Sequence, residues 1–122
     1  MNKDLSAANL AQLLLYAVLL AVGQILLKKA ALGIPTAGAI GQRLPALLLS
    51  PTFLLAILLY ALLSAYWVWL LTSIPLFRAY PFVALAFVLT LGSGVVVFAE
   101  PFSWRLVAGG ALIVLGLLVI AA

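Results

Sequence analysis

The chain has no cysteine and no histidine, and only two of its 122 residues, Asp4 and Glu100, are acidic. Without cysteine there are no disulfides and no thiolate metal sites, and the redox compartment cannot be read. Without histidine, and with neither acid in the middle of an apolar stretch, most enzyme chemistry is removed. No enzymatic activity, metal or cofactor is therefore expected. Charged residues make up 7% of the chain and hydrophobic ones 69%, against roughly a quarter and a half in soluble domains. Too little polar surface exists to cover a soluble core, so a bilayer is the expected solvent.

Four charge-free apolar stretches fill most of the chain: Leu10–Leu27, Phe53–Leu71, Ala79–Ala99 and Leu106–Ala122. Each approaches the roughly 20 residues a helix needs to cross a hydrocarbon core of roughly 30 Å. The expected fold is an all-α membrane protein, a compact bundle of four transmembrane helices over about 9–30, 52–73, 78–99 and 103–121. These form one domain spanning 1–122. The first run is not read as a signal peptide, because it ends in Gly23-Gln24-Ile25-Leu26-Leu27-Lys28-Lys29 with no small-x-small cleavage site before a polar region.

The six basic residues give a net charge of +4 but lie scattered at helix ends, where they snorkel to headgroups; no nucleic-acid partner is expected. Lys28, Lys29, Arg43 and Arg105 fall on the side of the first and third loops, and Lys3 and Arg78 on the other. That excess leans towards cytoplasmic first and third loops and leaves the orientation open. The first connection is long and contains Pro35, Pro45 and Pro51. Within it Ile40, Leu44, Leu47 and Leu48 recur at helical spacing, which predicts a short interfacial helix from about Thr36 to Leu49, with Gln42 and Arg43 towards headgroups. The later loops are tight, Ser73–Arg78 and Glu100–Trp104, so helices two to four are expected to pack as sequential antiparallel neighbours. Pro101 ends helix three, and Ser103 can cap helix four.

Polar residues inside such spans are the candidate site. On helix one, Ala17, Ala21, Gln24 and Lys28 share a stripe. A glutamine there is costly unless partnered, so the stripe faces protein or a wet cavity. Lys28 can attract an anion, with Lys29 as a headgroup anchor; two plain anchors is the alternative. Tyr60, Ser64 and Trp67 share a face of helix two. Arg78 and Tyr80 cluster with Pro81 at the start of helix three, where the guanidinium offers paired hydrogen bonds to a phosphate. Gly92, Ser93 and Gly94 read as positions for bending or close packing. Gly109 and Gly116, on one face of helix four, mark a helix-pairing seam, within one chain or between two.

Three elements carry a family resemblance. They are Gly23-Gln24-Ile25-Leu26-Leu27-Lys28, the run Ile74-Pro75-Leu76-Phe77-Arg78-Ala79-Tyr80-Pro81, and Glu100-Pro101-Phe102-Ser103-Trp104 before a glycine-rich helix. In this order, over about Leu13 to Ala121, the chain resembles four-helix, small multidrug resistance-like members of the drug/metabolite transporter superfamily. Among these it most resembles the small subunits of the aminoarabinose–undecaprenyl-phosphate flippase. The resemblance implies a bacterial inner-membrane flippase or flippase subunit, working on a lipid-linked anionic substrate such as an undecaprenyl-phosphate-linked sugar, in lipid A modification. Gln24, Lys28, Tyr60, Ser64, Arg78 and Tyr80 would bind that substrate. The partners would be membrane lipids and a second protomer, identical or a paralogue, meeting at Gly109 and Gly116. Glu100 would be structural, paired with Arg105 or an amide near the helix-four start. Two departures stand out. Small multidrug exporters carry a glutamate where Leu20 stands, and a proton-for-cation exchanger needs such an acid. Arg78 replaces a small or aliphatic residue, in keeping with an anionic substrate. A small multidrug-type exporter and a non-transport scaffold for a glycosyltransferase are the alternatives.

Overall fold

The computed structural model describes residues 5–121; Lys3, Asp4 and Ala122, named above at the chain ends, lie outside the described residues. Six helices follow one another: α1 Ala7–Leu32, α2 Ile40–Leu48, α3 Pro51–Leu71, α4 Leu76–Ala79, α5 Pro81–Phe98 and α6 Trp104–Ala121. Three of the long helices, α1, α3 and α6, start where the sequence supplies a serine cap. Ser6 Oγ accepts from the Asn9 amide at 3.1 Å, Ser50 Oγ from Phe53 at 3.3 Å and Ser103 Oγ from Leu106 at 3.2 Å. Each bond satisfies one of the amides that a helix start leaves without a backbone acceptor. Pro51 sits at the start of α3, where its missing N–H costs nothing.

Between α4 and α5, Tyr80 keeps right-handed helical angles, so Leu76–Phe98 is one continuous span, interrupted only where Pro81 has no N–H to donate. This span, α1 and α3 are long and apolar enough to cross a membrane; the apolar run Trp104–Ile120 of α6 is shorter. At about 1.5 Å per residue, the 18 residues of α6 reach about 27 Å. The described residues are thus three spanning-length helices and a fourth, shorter apolar one.

The expected interfacial helix is present in a shorter form. It begins only at Ile40, because Gly38 adopts φ +116°, a left-handed conformation outside any helix. Arg43, expected at the headgroups, donates from Nε to the Pro35 carbonyl at 3.1 Å and ties the loop to α2. No residue of α2 is buried.

Packing differs from the expected sequential order. α1 lies at the centre, packed against both α3 and α5, and α6 packs chiefly on α5. Ala17, Ala21, Gly23 and Ala30 are buried along α1, and Ala56 and Ala86 are buried on α3 and α5. Lipid is as apolar as leucine, so helices in a bilayer are held by close approach, which small residues permit. Helix one carries them on more than one face and receives both neighbours. The tightest packing surrounds Leu13, Tyr16, Leu63, Leu70, Ile74 and Ala79, at the end formed by the start of α1, the end of α3 and α4.

Candidate functional site

About two-thirds of the way along α1, the Gly23-Gln24 pair forms a contact that neither residue could make alone. A Cβ at position 23 would lie 2.9 Å from the Tyr60 ring; glycine lets that ring lie directly on the α1 backbone. The ring then brings its hydroxyl to Gln24, whose Nε2 donates to Tyr60 Oη at 2.8 Å. This supplies the partner that a glutamine in a span requires. Ser64, expected beside them, donates instead to the Tyr60 carbonyl of its own helix at 2.8 Å.

Beyond Gln24, towards the end of α1, lies a hollow of about 170 Å³ lined by Gln24, Ile25 and Lys28 of α1, Thr90, Ser93, Gly94 and Phe98 of α5, and Glu100. Lys29 is not among its lining residues. The Thr90 and Ser93 hydroxyls donate at 2.8 Å to the Ala86 and Thr90 carbonyls, which leaves their oxygens as acceptors.

Glu100 reaches the hollow through two local features. Ala99 adopts φ 52°, ψ 35°, a left-handed conformation rare for alanine, and the Glu100 amide donates back to the Gly94 carbonyl at 3.1 Å. The chain therefore doubles back over the end of α5, and Glu100 Oε1 lies where a Cβ at position 94 would have to stand. The amide at the α6 start is met by Ser103, and Arg105 is not among the lining residues. Glu100, expected to serve the loop, thus lines the same hollow as Lys28.

Arg78 and Tyr80 are at the other end. Arg78 is half-buried in a cleft of about 430 Å³ whose remaining lining is apolar, from Leu10 and Leu14 of α1 through Pro81 and Phe82 to Leu117 and Leu118 of α6. The exposed Tyr80 ring meets Trp67 edge-on at 6.5 Å; Trp67 in turn stacks on Tyr16 at 4.7 Å, and Tyr16 meets Tyr66 edge-on at 6.1 Å. Tyr66 donates to the Gln12 carbonyl at 3.0 Å. The six candidate residues therefore divide into two groups. Gln24, Lys28 and Tyr60 are brought together, Arg78 and Tyr80 occupy the opposite end, and Ser64 joins neither by a hydrogen bond. Tyr16, Thr90 and Ser93 were not read as site residues. Ser93 is the polar member of the Gly92-Ser93-Gly94 cluster, and Thr90 lies one helical turn before it. In α6, a Cβ on Gly109, Gly110 or Gly116 would meet nothing within 4 Å.

Among the described residues, an all-helical architecture with three helices long and apolar enough to cross a membrane is that of a membrane-bundle protein. No family model and no solved structure matches the chain. It is 36% identical over 109 residues, covering 84% of this chain and 86% of the relative, to the probable 4-amino-4-deoxy-L-arabinose-phosphoundecaprenol flippase subunit ArnF of Erwinia tasmaniensis. The chain belongs to this family of flippase subunits.

Proposed function

We propose that this protein is a subunit of an inner-membrane flippase that carries an anionic, lipid-linked sugar across the bilayer, most specifically an undecaprenyl-phosphate-linked sugar. The observation that carries the reading is Lys28 and Gln24 in a polar hollow between otherwise apolar helices, in a chain that belongs to a family of flippase subunits. A phosphate dissolves poorly in hydrocarbon, while a polyprenyl tail is at home there. Such a substrate needs polar groups for its head and an open side for its tail. Lys28 serves the phosphate at one mouth and Arg78 at the other, where the apolar lining of the Arg78 cleft suits a chain of CH₂ and isoprene units. In this reading α6 is a fourth crossing, α2 lies at the membrane interface, and Gly109 and Gly116 meet a second protomer. Rocking of the paired protomers would expose the site to each face in turn.

The test is reconstitution in liposomes, alone and with a paralogous small subunit, using a polyprenyl phosphate that bears a sugar. Transbilayer movement above that of protein-free vesicles is expected. Movement of quaternary ammonium compounds without movement of the lipid would favour the exporter alternative. Movement of neither, with a bound glycosyltransferase recovered from membranes, would favour the scaffold.

A further inference from the structure

The hollow that Lys28 lines is rich in hydrogen-bond acceptors. Thr90 and Ser93 have spent their hydroxyl protons on the Ala86 and Thr90 carbonyls, so each has only lone pairs left to offer. Gln24 spends one N–H on Tyr60 and keeps its side-chain carbonyl as an acceptor. Glu100 adds a carboxylate, and α5 ends here, where helix carbonyls carry partial negative charge that favours a cation. A phosphate is itself all acceptors and needs donors. The main donor in this hollow is Lys28, whose ammonium has three N–H groups and no lone pair. The lining therefore complements the ammonium of Lys28 better than it complements a phosphate. Glu100 is also held in place, by the left-handed Ala99, its own amide bond back to Gly94 and the missing side chain at position 94. It stands on the short turn from Phe98 to Trp104, so a bond to Lys28 would tie the end of α1 to that turn. Left-handed backbone at a residue other than glycine persists only where the surroundings compensate for it, and such a bond would contribute to that.

We propose that Lys28 and Glu100 form a latch: Glu100 holds the ammonium and keeps this mouth closed until an anionic group takes Lys28 away. Gln24, Thr90 and Ser93 seat the ammonium in the latched state. Glu100 is then a competitor for Lys28 and not a contact for cargo. The latch itself asks nothing of the cargo; its release by a lipid phosphate rests on the flippase reading above. An ion pair between exposed side chains contributes little to folding, so the latch sets how often the mouth opens and leaves the unfolding midpoint where it is. A site that is open for only a fraction of the time binds with its intrinsic affinity reduced by that fraction. Removing Glu100 should therefore strengthen the hold of Lys28 on a phosphate.

The chain has no cysteine, so Thr90→Cys places a single thiol in the lining of the hollow. Its rate of reaction with a neutral maleimide, in phosphatidylcholine bilayers with any partner subunit, reads how often the mouth is open. Glu100→Gln and Lys28→Gln should each raise that rate about two- to fivefold, the worth of one exposed ion pair. Exchanging the charges, Lys28→Glu with Glu100→Lys, should restore the original rate. Charges acting on the thiol alone would move the two single variants in opposite directions, because a cation favours the thiolate and an anion disfavours it. That pattern, or a charge-exchanged chain as fast as the single variants, would overturn the latch. In transport of a sugar-bearing polyprenyl phosphate, Glu100→Gln should lower the half-saturating concentration about two- to fivefold, whereas Lys28→Gln should raise it. A raised value for Glu100→Gln would also overturn the latch, by making the carboxylate part of the binding site. Labelling rates as expected, with no movement of the lipid, would overturn the flippase reading and the release by phosphate, and leave the latch standing.

Discussion

Around Leu13 and Tyr16, α1 is enclosed by rings and branched side chains; around Gln24 and Lys28 the same helix borders a polar hollow. The first region holds the buried cluster and a chain of four aromatic contacts joining Tyr80, Trp67, Tyr16, Tyr66 and Trp69. The second is held by one side-chain hydrogen bond, Gln24 to Tyr60, and by the turn that returns Glu100 over Gly94. Burying apolar surface gains little in a bilayer, so packing and aromatic geometry must supply cohesion. The aromatic end therefore holds the denser packing of the two, while the polar end carries the charged and hydroxyl groups. Substitutions should separate these two properties.

The largest effect is expected at the polar end and on transport alone. Lys28→Gln should slow movement of a polyprenyl-phosphate sugar by about 10- to 100-fold, the worth of one charge-assisted hydrogen bond. Initial rates in liposomes at matched protein levels would measure this. Lys29→Gln, one position away and outside the hollow, should leave the rate within about twofold, as expected for a surface charge. Arg78→Gln should resemble Lys28→Gln if, as proposed, it meets the phosphate at the opposite mouth. Equal behaviour of all three would make them headgroup anchors.

At the aromatic end the order reverses. Tyr16→Ala removes a stacked and an edge-on ring contact in one step. Aromatic pairs contribute about 0.5–1.5 kcal/mol each, and the void adds to this, so a loss of about 2–3 kcal/mol is expected in detergent unfolding. Lys28→Gln should leave the unfolding midpoint unchanged. A large stability loss for Lys28→Gln, with none for Tyr16→Ala, would invert the comparison.

Much of this contrast was legible in the sequence. Apolar run lengths marked the helices, and the rule that a glutamine in a span needs a partner singled out Gln24. Serine before an apolar run located the Ser103 cap. What could not be read was which helices touch. Loop length limits reach without choosing neighbours, and α1 was placed at the centre by small residues on more than one of its faces. The site of Glu100 was hidden for a different reason. It depends on one left-handed alanine, and alanine gives no warning of that conformation as glycine would. The place of Thr90 and Ser93 in the hollow was hidden too, Ser93 reading only as a packing position, since hydroxyl residues in apolar helices more often bond their own backbone, as both do here.

The boundary between the two regions is Gly23. Gly23→Ala would press a methyl group into the Tyr60 ring, and overpacking of this kind costs about 1–3 kcal/mol. Tyr60→Phe keeps the ring and removes only the bond to Gln24, for about 1 kcal/mol. Thermal unfolding in detergent should rank them in that order. The reverse ranking would mean the hydrogen bond, not the ring contact, fastens α3 to α1. Smaller still is the expected effect of Gly109→Leu with Gly116→Leu on the fold of one chain. Both glycines border open space, so unfolding of the monomer should shift by less than about 0.5 kcal/mol. Crosslinked dimer should nevertheless fall, because the seam between protomers would be filled. Unchanged crosslinking would remove α6 from the interface.

The smallest expected effect is none. Leu20 stands where small multidrug exporters carry their proton-binding glutamate, and here it packs against the buried cluster around Leu13 and Tyr16. A quaternary ammonium ion would need a fixed negative charge at membrane depth to replace its hydration, and at that point of α1 it would meet leucine. Glu100 offers a carboxylate only at the far mouth, beside Lys28, whose charge repels a permanent cation. Expression in a drug-sensitive host should therefore give no resistance to such compounds that depends on the pH gradient, measured as the growth-inhibiting concentration with and without an uncoupler. Resistance that disappears with Glu100→Gln would show that the carboxylate binds cations despite the charge of Lys28, and the polar end would then be an exporter's site.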